Sequence, residues 1–256
     1  WGINQEVKTL FIKGESIQSG KPWEEFRNSI KSIVILEGTE TIGDSAFKEL
    51  SELKMVMIPS SVKEITSDSF ADCTKFEWIE VSMINPEYTS ENGVLFNKEK
   101  TILIACPCSK SGRFKVPNGV IAIGKGAFLG CTLLEDVILP SSLRTIGASA
   151  FKDCNNLVSV TIKGLLEEIG WNAFSFCRNL RDFDLDKALQ IEESAFNGTP
   201  VFFNRAVEVN DPFDMVGVGS KCLSGYNPTM NEEKAFRMFN RALMRGQNWY
   251  EDEENR

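Results

Sequence analysis

Apolar residues recur along the chain in a fixed pattern with a period of about 23 residues. Six hexapeptides open with Ile and close with Phe: IGDSAF (42–47), ITSDSF (65–70), IGKGAF (123–128), IGASAF (146–151), IGWNAF (169–174) and IEESAF (191–196). Repetition at this period predicts a repeat protein in which each unit buries its apolar face against the next unit.

A short run of alternating apolar and polar residues lies upstream of the hexapeptides. Examples are IKSIVIL (30–36), LKMVMIP (53–59), LEDVILP (134–140), LVSVTIK (157–163) and LRDFDLD (180–186). In the third run, Leu134, Val137 and Leu139 are predicted to face the core, and the residues between them to point away. Strands this short cannot bury their apolar faces alone, so we expect them to stack in a ladder with a spacing of about 4.8 Å.

The hexapeptides predict the other side of each coil. A turn of the PSS or EGT type follows the strand, the Ile then points into the core, and Ala-Phe begins a short helical turn. Equivalent Phe side chains from successive coils are expected to stack in a column, which we call the Phe spine. This column explains why the chain has 18 Phe but only 3 Tyr.

Cysteine follows the same period. Cys73, Cys131, Cys154 and Cys177 each lie three residues after a hexapeptide Phe, and we interpret them as small buried side chains. Because stacked equivalents come close together, a disulfide or a metal site is an alternative, but the chain has no CxxC pairs. The same structural role is predicted for the CxC of Cys106 and Cys108, while Cys222 stands alone. We expect no metal and no cofactor.

The unit L-x-x-V-x-I-P-x-x-V-x-x-I-G-x-x-A-F-x-x-C resembles the BspA-like leucine-rich repeat over about residues 6–200. The resemblance implies a leucine-rich-repeat solenoid of the α+β class, with about seven repeats and a ladder of short strands. It also implies a bacterial protein of the cell surface or a secreted one, which binds protein or matrix in adhesion. The odd number of cysteines, which does not fit a framework of paired disulfides, leaves a cytoplasmic location open.

The period is interrupted between the second and third hexapeptides. The segment EYTSENGVLFNKEKTILIACP (87–107) is similar to insertions found between these repeats. GVLF and TILIAC are predicted strands joined by the polar turn at 97–100, so we expect a hairpin over 84–112 that projects from the solenoid.

We divide the chain into a solenoid at 1–209, which begins with a lead-in or cap at 1–29, and a helical segment at 210–256. In that segment NEEKAFRMFNRALMRG (231–246) has apolar residues on one helical face. It is similar to a single Sel1-like helical repeat, and the acidic EDEENR tail follows it.

Composition narrows the function classes. The net charge of −8 argues against nucleic acid as the partner, and no apolar run is long enough to predict insertion into a membrane. The chain contains no His, the commonest general base and metal ligand. We therefore expect that it is not an enzyme.

By strand register, the outward residues of the early strands include a cluster of Val34, Met55, Met57 and Trp78. Exposed Met and Trp side chains are typical of protein-binding sites. We predict a non-catalytic module that recognises a protein, or a glycan or matrix component, through this strand face. The hairpin folding over the cluster, or a register shift of one residue, would bury it. The alternatives are a structural spacer presenting other domains and a non-catalytic targeting domain of an enzyme.

Overall fold

Most coils of the chain contribute two β-strands, one to a front sheet and one to a side sheet, in the computed structural model, which describes residues 1–17, 23–66 and 69–201. The result is a solenoid of about eight turns, which confirms the predicted leucine-rich-repeat fold. The helical segment predicted at 210–256, with its Sel1-like repeat, lies outside the described residues.

The strands that match the alternating runs of the sequence form two front sheets. The first contains β1 (Gly2–Asn4), β2 (Thr9–Ile12), β4 (Ser32–Ile35), β6 (Met55–Ile58) and β8 (Trp78–Val81), in this order. The second contains β12 (Gly112–Lys115), β14 (Leu134–Leu139), β16 (Ser159–Ile162) and β18 (Asp182–Phe183). All neighbours are parallel except β1, which pairs antiparallel with β2.

The other strands, most of which end on the first Ile of a hexapeptide, form two side sheets. The first side sheet contains β3 (Ser16–Ile17), β5 (Thr41–Ile42) and β7 (Glu64–Ile65). The second includes β13 (Ala122–Ile123), β15 (Thr145–Ile146), β17 (Leu166–Ile169) and β19 (Ala188–Ile191). Because β2 and β3 already pair with β4 and β5, the segment expected to be a lead-in forms a coil of its own.

Equivalent apolar side chains stack in columns inside the solenoid. The rings of Phe128, Phe151, Phe174 and Phe196 follow one another with centroid distances of 4.6, 5.0 and 5.1 Å, and each pair is stacked. All four rings are almost completely buried. The predicted Phe spine is therefore confirmed, as are the inward positions of β14.

The helical turn predicted after each Ala-Phe is wrong. Every second backbone N–H there donates to the next coil, as from Phe128 to the carbonyl of Ala150 at 2.7 Å, so a continuous series of bonds within a helix cannot form. Residues with positive φ, such as Ser149 at 56° and Asp153 at 62°, also interrupt helical geometry. Within residues 1–17, 23–66 and 69–200, the helical elements are the 3₁₀ turns Glu24–Phe26 and Leu185–Lys187.

The insertion is part of the ladder and does not project from it. It forms β9 (Tyr88–Glu91), β10 (Val94–Asn97) and β11 (Ile102–Ala105), which are successively antiparallel. β11 then pairs in parallel with β13, so the insertion extends the second side sheet. The expectation of a projecting hairpin fails because Leu103 of β11 is buried opposite Ile123.

The insertion also divides the core. No strand pairing joins β8 to β12 in the described chain, so the front ladder is interrupted there. The buried residues form two clusters, one from Leu10 to Leu95 and the other from Val94 to Val201. Across the described ranges, no helix is long and apolar enough to cross a membrane.

Candidate partner-binding surface

The four residues singled out from the sequence lie on three neighbouring strands of the first front sheet. Val34 on β4 is paired in register with Met57 on β6, and Met55 on β6 is paired with Trp78 on β8. In a parallel ladder, paired residues point to the same face. The structure therefore brings all four side chains together on the outer face.

The exposure of these side chains follows from the alternation of each strand. Ile33, Val56 and Ile79 stack in the core, so their neighbours along the strands face solvent. Met57 is 43% exposed and Trp78 is 40% exposed, whereas Val34 and Met55 are half-buried. Half-exposed Met and Trp side chains leave apolar surface in water, which a partner would cover.

Phe11 on β2 belongs to the same surface, although the sequence reasoning did not include it. It is paired with Val34 and is 39% exposed. The signal was present, because Phe11 lies between the buried Leu10 and Ile12 in the same alternation as the later strands. We call the surface formed by Phe11, Val34, Met55, Met57 and Trp78 the apolar patch.

The insertion borders the apolar patch without covering it. The backbone N–H of Ile79 donates to the carbonyl of Gly93 at 3.0 Å, which brings the β9–β10 turn against the Trp78 ring. A Cβ atom at position 93 would lie 2.8 Å from that ring, so only Gly fits. Trp78 remains 40% exposed.

Two polar contacts fix the orientation of Trp78. Its indole Nε1 donates to Oε2 of Glu80 at 2.8 Å. The ammonium group of Lys110 lies 5.7 Å from the ring centroid and donates to the carbonyl of Asn92 at 2.8 Å. A Trp held by a carboxylate and a cation loses little rotational freedom when a partner binds, which favours its use as an anchor.

A column of lysines lies along one border of the patch. The backbone N–H of Lys31 donates to the carbonyl of Lys8, and that of Lys54 donates to Lys31, so these residues occupy equivalent places in successive coils. Lys31 and Lys54 are exposed, and the Lys54 Nζ atom lies 3.0 Å from Oε1 of Glu77. Apolar surface with a charged rim is the usual composition of a protein interface.

The second front sheet presents a more polar outer face. Its outward residues are mainly polar, with Ile138 and Val158 as apolar exceptions; the polar ones include Arg113, Lys115, Glu135, Asp136, Ser159, Thr161, Arg181 and Asp182. Arg113 Nη2 lies 3.5 Å from Asp136 Oδ2, and Ser159 Oγ donates to Asp136 Oδ1 at 2.5 Å. The apolar patch is therefore a feature of the first half and is not repeated along the ladder.

Two carboxylates, those of Glu77 and Glu80, lie beside the patch. Glu77 is paired with Lys54, and Glu80 accepts the indole N–H of Trp78, so both carboxylates hold neighbouring side chains in place. Among the residues that the structure describes, no three His, Cys, Asp or Glu side chains are grouped so as to hold a metal ion.

Comparison with known protein families identifies the same repeat that the hexapeptides define. The family model for the BspA type leucine rich repeat region matches residues 24–102 and 105–208, in six copies. Among curated proteins, none matches the chain.

Two solved structures are similar over most of this chain. One is a leucine rich cell surface protein from Faecalibacterium prausnitzii, with 26% identity and a TM-score of 0.63, covering 75% of this chain and 52% of that protein. The other is the pneumococcal vaccine antigen PcpA, with 26% identity and a TM-score of 0.56, covering 67% of this chain and 49% of that protein. The chain thus matches about half the length of each.

Proposed function

Because the chain belongs to the family of BspA-type leucine-rich-repeat proteins, we propose that it is a non-catalytic module that binds a protein partner on the apolar patch. The observation that carries this proposal is the pairing of Val34 with Met57 and of Met55 with Trp78 across three strands. Trp is enriched in the residues that dominate binding energy, and Met adapts its shape to a partner.

A protein fits this surface better than a glycan or a matrix polysaccharide. The patch combines aliphatic, thioether and aromatic side chains on a continuous sheet face, and its charged groups lie at the border. Burial of such surface stabilises a complex by roughly 25 cal/mol per Å² before the cost of association is subtracted. A sugar ligand would instead require several hydrogen-bonding side chains within the patch.

We further propose that binding takes place at the bacterial cell surface, in adhesion. Support comes from the two solved relatives, one described as a cell surface protein and the other as a vaccine antigen. The shared fold alone does not specify a partner, because one repeat architecture serves many ligands.

Replacement of patch residues by charge tests the proposal. We expect Met57→Glu to abolish capture of the partner from the native environment while the far-UV circular dichroism and melting temperature stay close to those of the parent. Trp78→Glu should have the same effect on capture, but it also removes the packing of Trp78 on Gly93. Met57→Glu is therefore the cleaner variant.

Val158→Glu is the matched control. Val158 is 45% exposed and precedes β16 in the second front sheet, so it adds the same charge at a similar apolar position away from the patch. Capture that survives Val158→Glu and is lost in Met57→Glu supports the proposal. Equal capture by both variants would exclude the patch, and the absence of any protein captured by the parent chain would favour the spacer.

A further inference from the structure

One coil of the solenoid has a cysteine where the six hexapeptide coils have the spine Phe. In regular coils the backbone N–H of the spine Phe donates to the residue before the next spine Phe, as from Phe151 to Ala173 at 2.7 Å. The N–H of Cys106 makes the equivalent bond to Ala127 at 2.8 Å. Cys106 therefore occupies the spine position of the coil that contains β11.

The thiols of the cysteine column give the same alignment independently. Cys154 Sγ donates to the carbonyl of Phe128 at 3.1 Å, and Cys177 Sγ donates to that of Phe151 at 2.9 Å. Cys131 Sγ lies 3.6 Å from the carbonyl of Cys106 in the same relation. Thus the aromatic ring is missing from one place in the spine.

A cavity of about 200 Å³ lies where that ring is missing. Its walls include Ile65, Phe70, Ile104, Cys106, Cys108 and Ala127. A large side chain replaced by a small one leaves a void when the surroundings cannot close, which accounts for the cavity at this position. A space of this size is far larger than one water molecule needs.

A pair of thiols lies beside the cavity. Cys108 Sγ and Cys131 Sγ are 3.5 Å apart, and both residues are buried. Cys108 is on the cavity wall, whereas Cys131 is fully buried behind it. Formation of an S–S bond of about 2.05 Å requires the two sulfur atoms, now 3.5 Å apart, to approach by about 1.5 Å.

We propose that the cavity is a thiol–disulfide exchange site, in which a low-molecular-weight disulfide oxidises Cys108 and Cys131 to a disulfide bond. The Cys108 thiol gives its proton to solvent, and its sulfur attacks one sulfur of the small disulfide. The S–S bond of the small molecule breaks, and one thiolate leaves with the electron pair and takes up a proton.

Cys131 completes the reaction. Its sulfur, deprotonated in turn, attacks the Cys108 sulfur of the mixed disulfide, and the second small thiol leaves. The two cysteines lose two electrons and two protons in total, and the small disulfide is reduced to two thiols. The hydrogen bond with Cys108, followed by burial, raises the pKa of Cys131, so exchange accelerates as the pH rises.

The experiment uses the full chain with 2-hydroxyethyl disulfide at mildly alkaline pH. We expect the intact mass to fall by two hydrogens, and peptide mapping after alkylation to find the bond between Cys108 and Cys131. Cys131→Ser should stop at the mixed disulfide. Cys177→Ala, which changes the same column two coils further along, should still form the bond.

Variants at position 106 test the role of the cavity. Cys106→Phe restores the missing ring, and we expect exchange to become slower by about tenfold or more because access limits the reaction. Cys106→Ala removes the same thiol but keeps the cavity, so its rate should match that of the parent. Should Cys106→Phe fail to fold, Cys106→Leu provides the filled cavity.

Three results would overturn the proposal. These are no internal disulfide in the parent chain, a bond that joins a different pair, or exchange as fast in the folded Phe or Leu variant as in Cys106→Ala. The first two test the thiol pair, and the third tests the cavity as the route of entry.

Discussion

At the scale of single residues, the spine Phe and the Cys three positions later act as a unit. The ring fills the space between coils, and the thiol of the next coil donates to the carbonyl of the Phe, as Cys177 does to Phe151 at 2.9 Å. A buried Cys therefore fills a small apolar space and also satisfies a backbone acceptor. This second role explains why Cys recurs in preference to Ala.

Phe151→Ala measures the contribution of one ring. Phe151 is fully buried between Phe128 and Phe174. We expect the free energy of unfolding to fall by about 3–5 kcal/mol, from lost apolar burial and the cavity left behind. Chemical denaturation of both proteins checks this. A loss below about 1 kcal/mol would mean that the neighbouring coils collapse onto the space.

Single residues also show why some of the site escaped prediction. Cys106 takes the spine position without any part of the hexapeptide around it, because only two residues separate Leu103 from Cys106. In a regular coil four residues separate the equivalent Ile123 from Phe128. The thiol pair and the cavity become visible only when hydrogen bonds align the coils. Phe11, in contrast, could have been found from alternation alone.

At the scale of elements, side-chain hydrogen bonds join each coil to the next, between residues about one repeat, 23 or 24 positions, apart. The carboxylate of Glu37 accepts the backbone N–H groups of Ser60 and Ser61 at 3.0 and 3.2 Å, and the Ser60 hydroxyl at 2.8 Å. The EGT turn of one coil thus holds the PSS turn of the next. The sequence indicated two turn types but not that one binds the other.

Glu37→Gln tests this contact through its dependence on pH. Hydrogen bonds from Ser60, and then from Ser61, lower the pKa of Glu37 below the ordinary value of 4.5. The ionised form is favoured in the folded chain, so its contribution is present above the ordinary pKa and is lost as the pH falls through the lowered one.

We therefore expect Glu37→Gln to melt at a lower temperature than the parent at neutral pH, and the difference to disappear in acid. Thermal melts across this range are the measurement. Glu168→Gln, at an exposed position of β17, is the control for a change of net charge. A difference that stays constant down to the most acid pH would show that the charge of Glu37 is not involved.

The strand ladder is the part of the fold that the sequence period predicted correctly. A repeat of about 23 residues specifies strand, turn, Ile and Phe in each coil, so the ladder and its two faces follow directly. The helical turn was wrong because Ala-Phe bonds across coils, which no property of one coil reveals. The place of the insertion in the second side sheet could not be predicted for the same reason, since the pairing of β11 with β13 is a contact between coils.

At the scale of the whole molecule, the buried residues form two cores that meet at the insertion, which contributes residues to both. In the described chain, β7 is the edge strand of the first side sheet. The hydroxyl of Tyr88, in β9 of the insertion, accepts the backbone N–H of Ile65 in β7 at 2.9 Å and so links the insertion to that sheet. Buried Asn85 donates to the carbonyls of Pro59 and Val62 at 2.8 and 3.0 Å. The apolar patch lies wholly on the first core, and the thiol pair lies at the start of the second.

This division predicts that the two halves differ in how they respond to a core defect. Stability in a repeat protein is carried by each unit and by its nearest neighbours, so a cavity should act mainly within its own core. We expect Phe47→Ala to reduce amide hydrogen-exchange protection in β4 and β6 far more than in β14 and β16. Phe151→Ala should do the reverse. Native-state hydrogen exchange measured by mass spectrometry gives the protection of each strand, and a loss spread equally over all four strands in both variants would mean that the insertion couples the two cores into one cooperative unit.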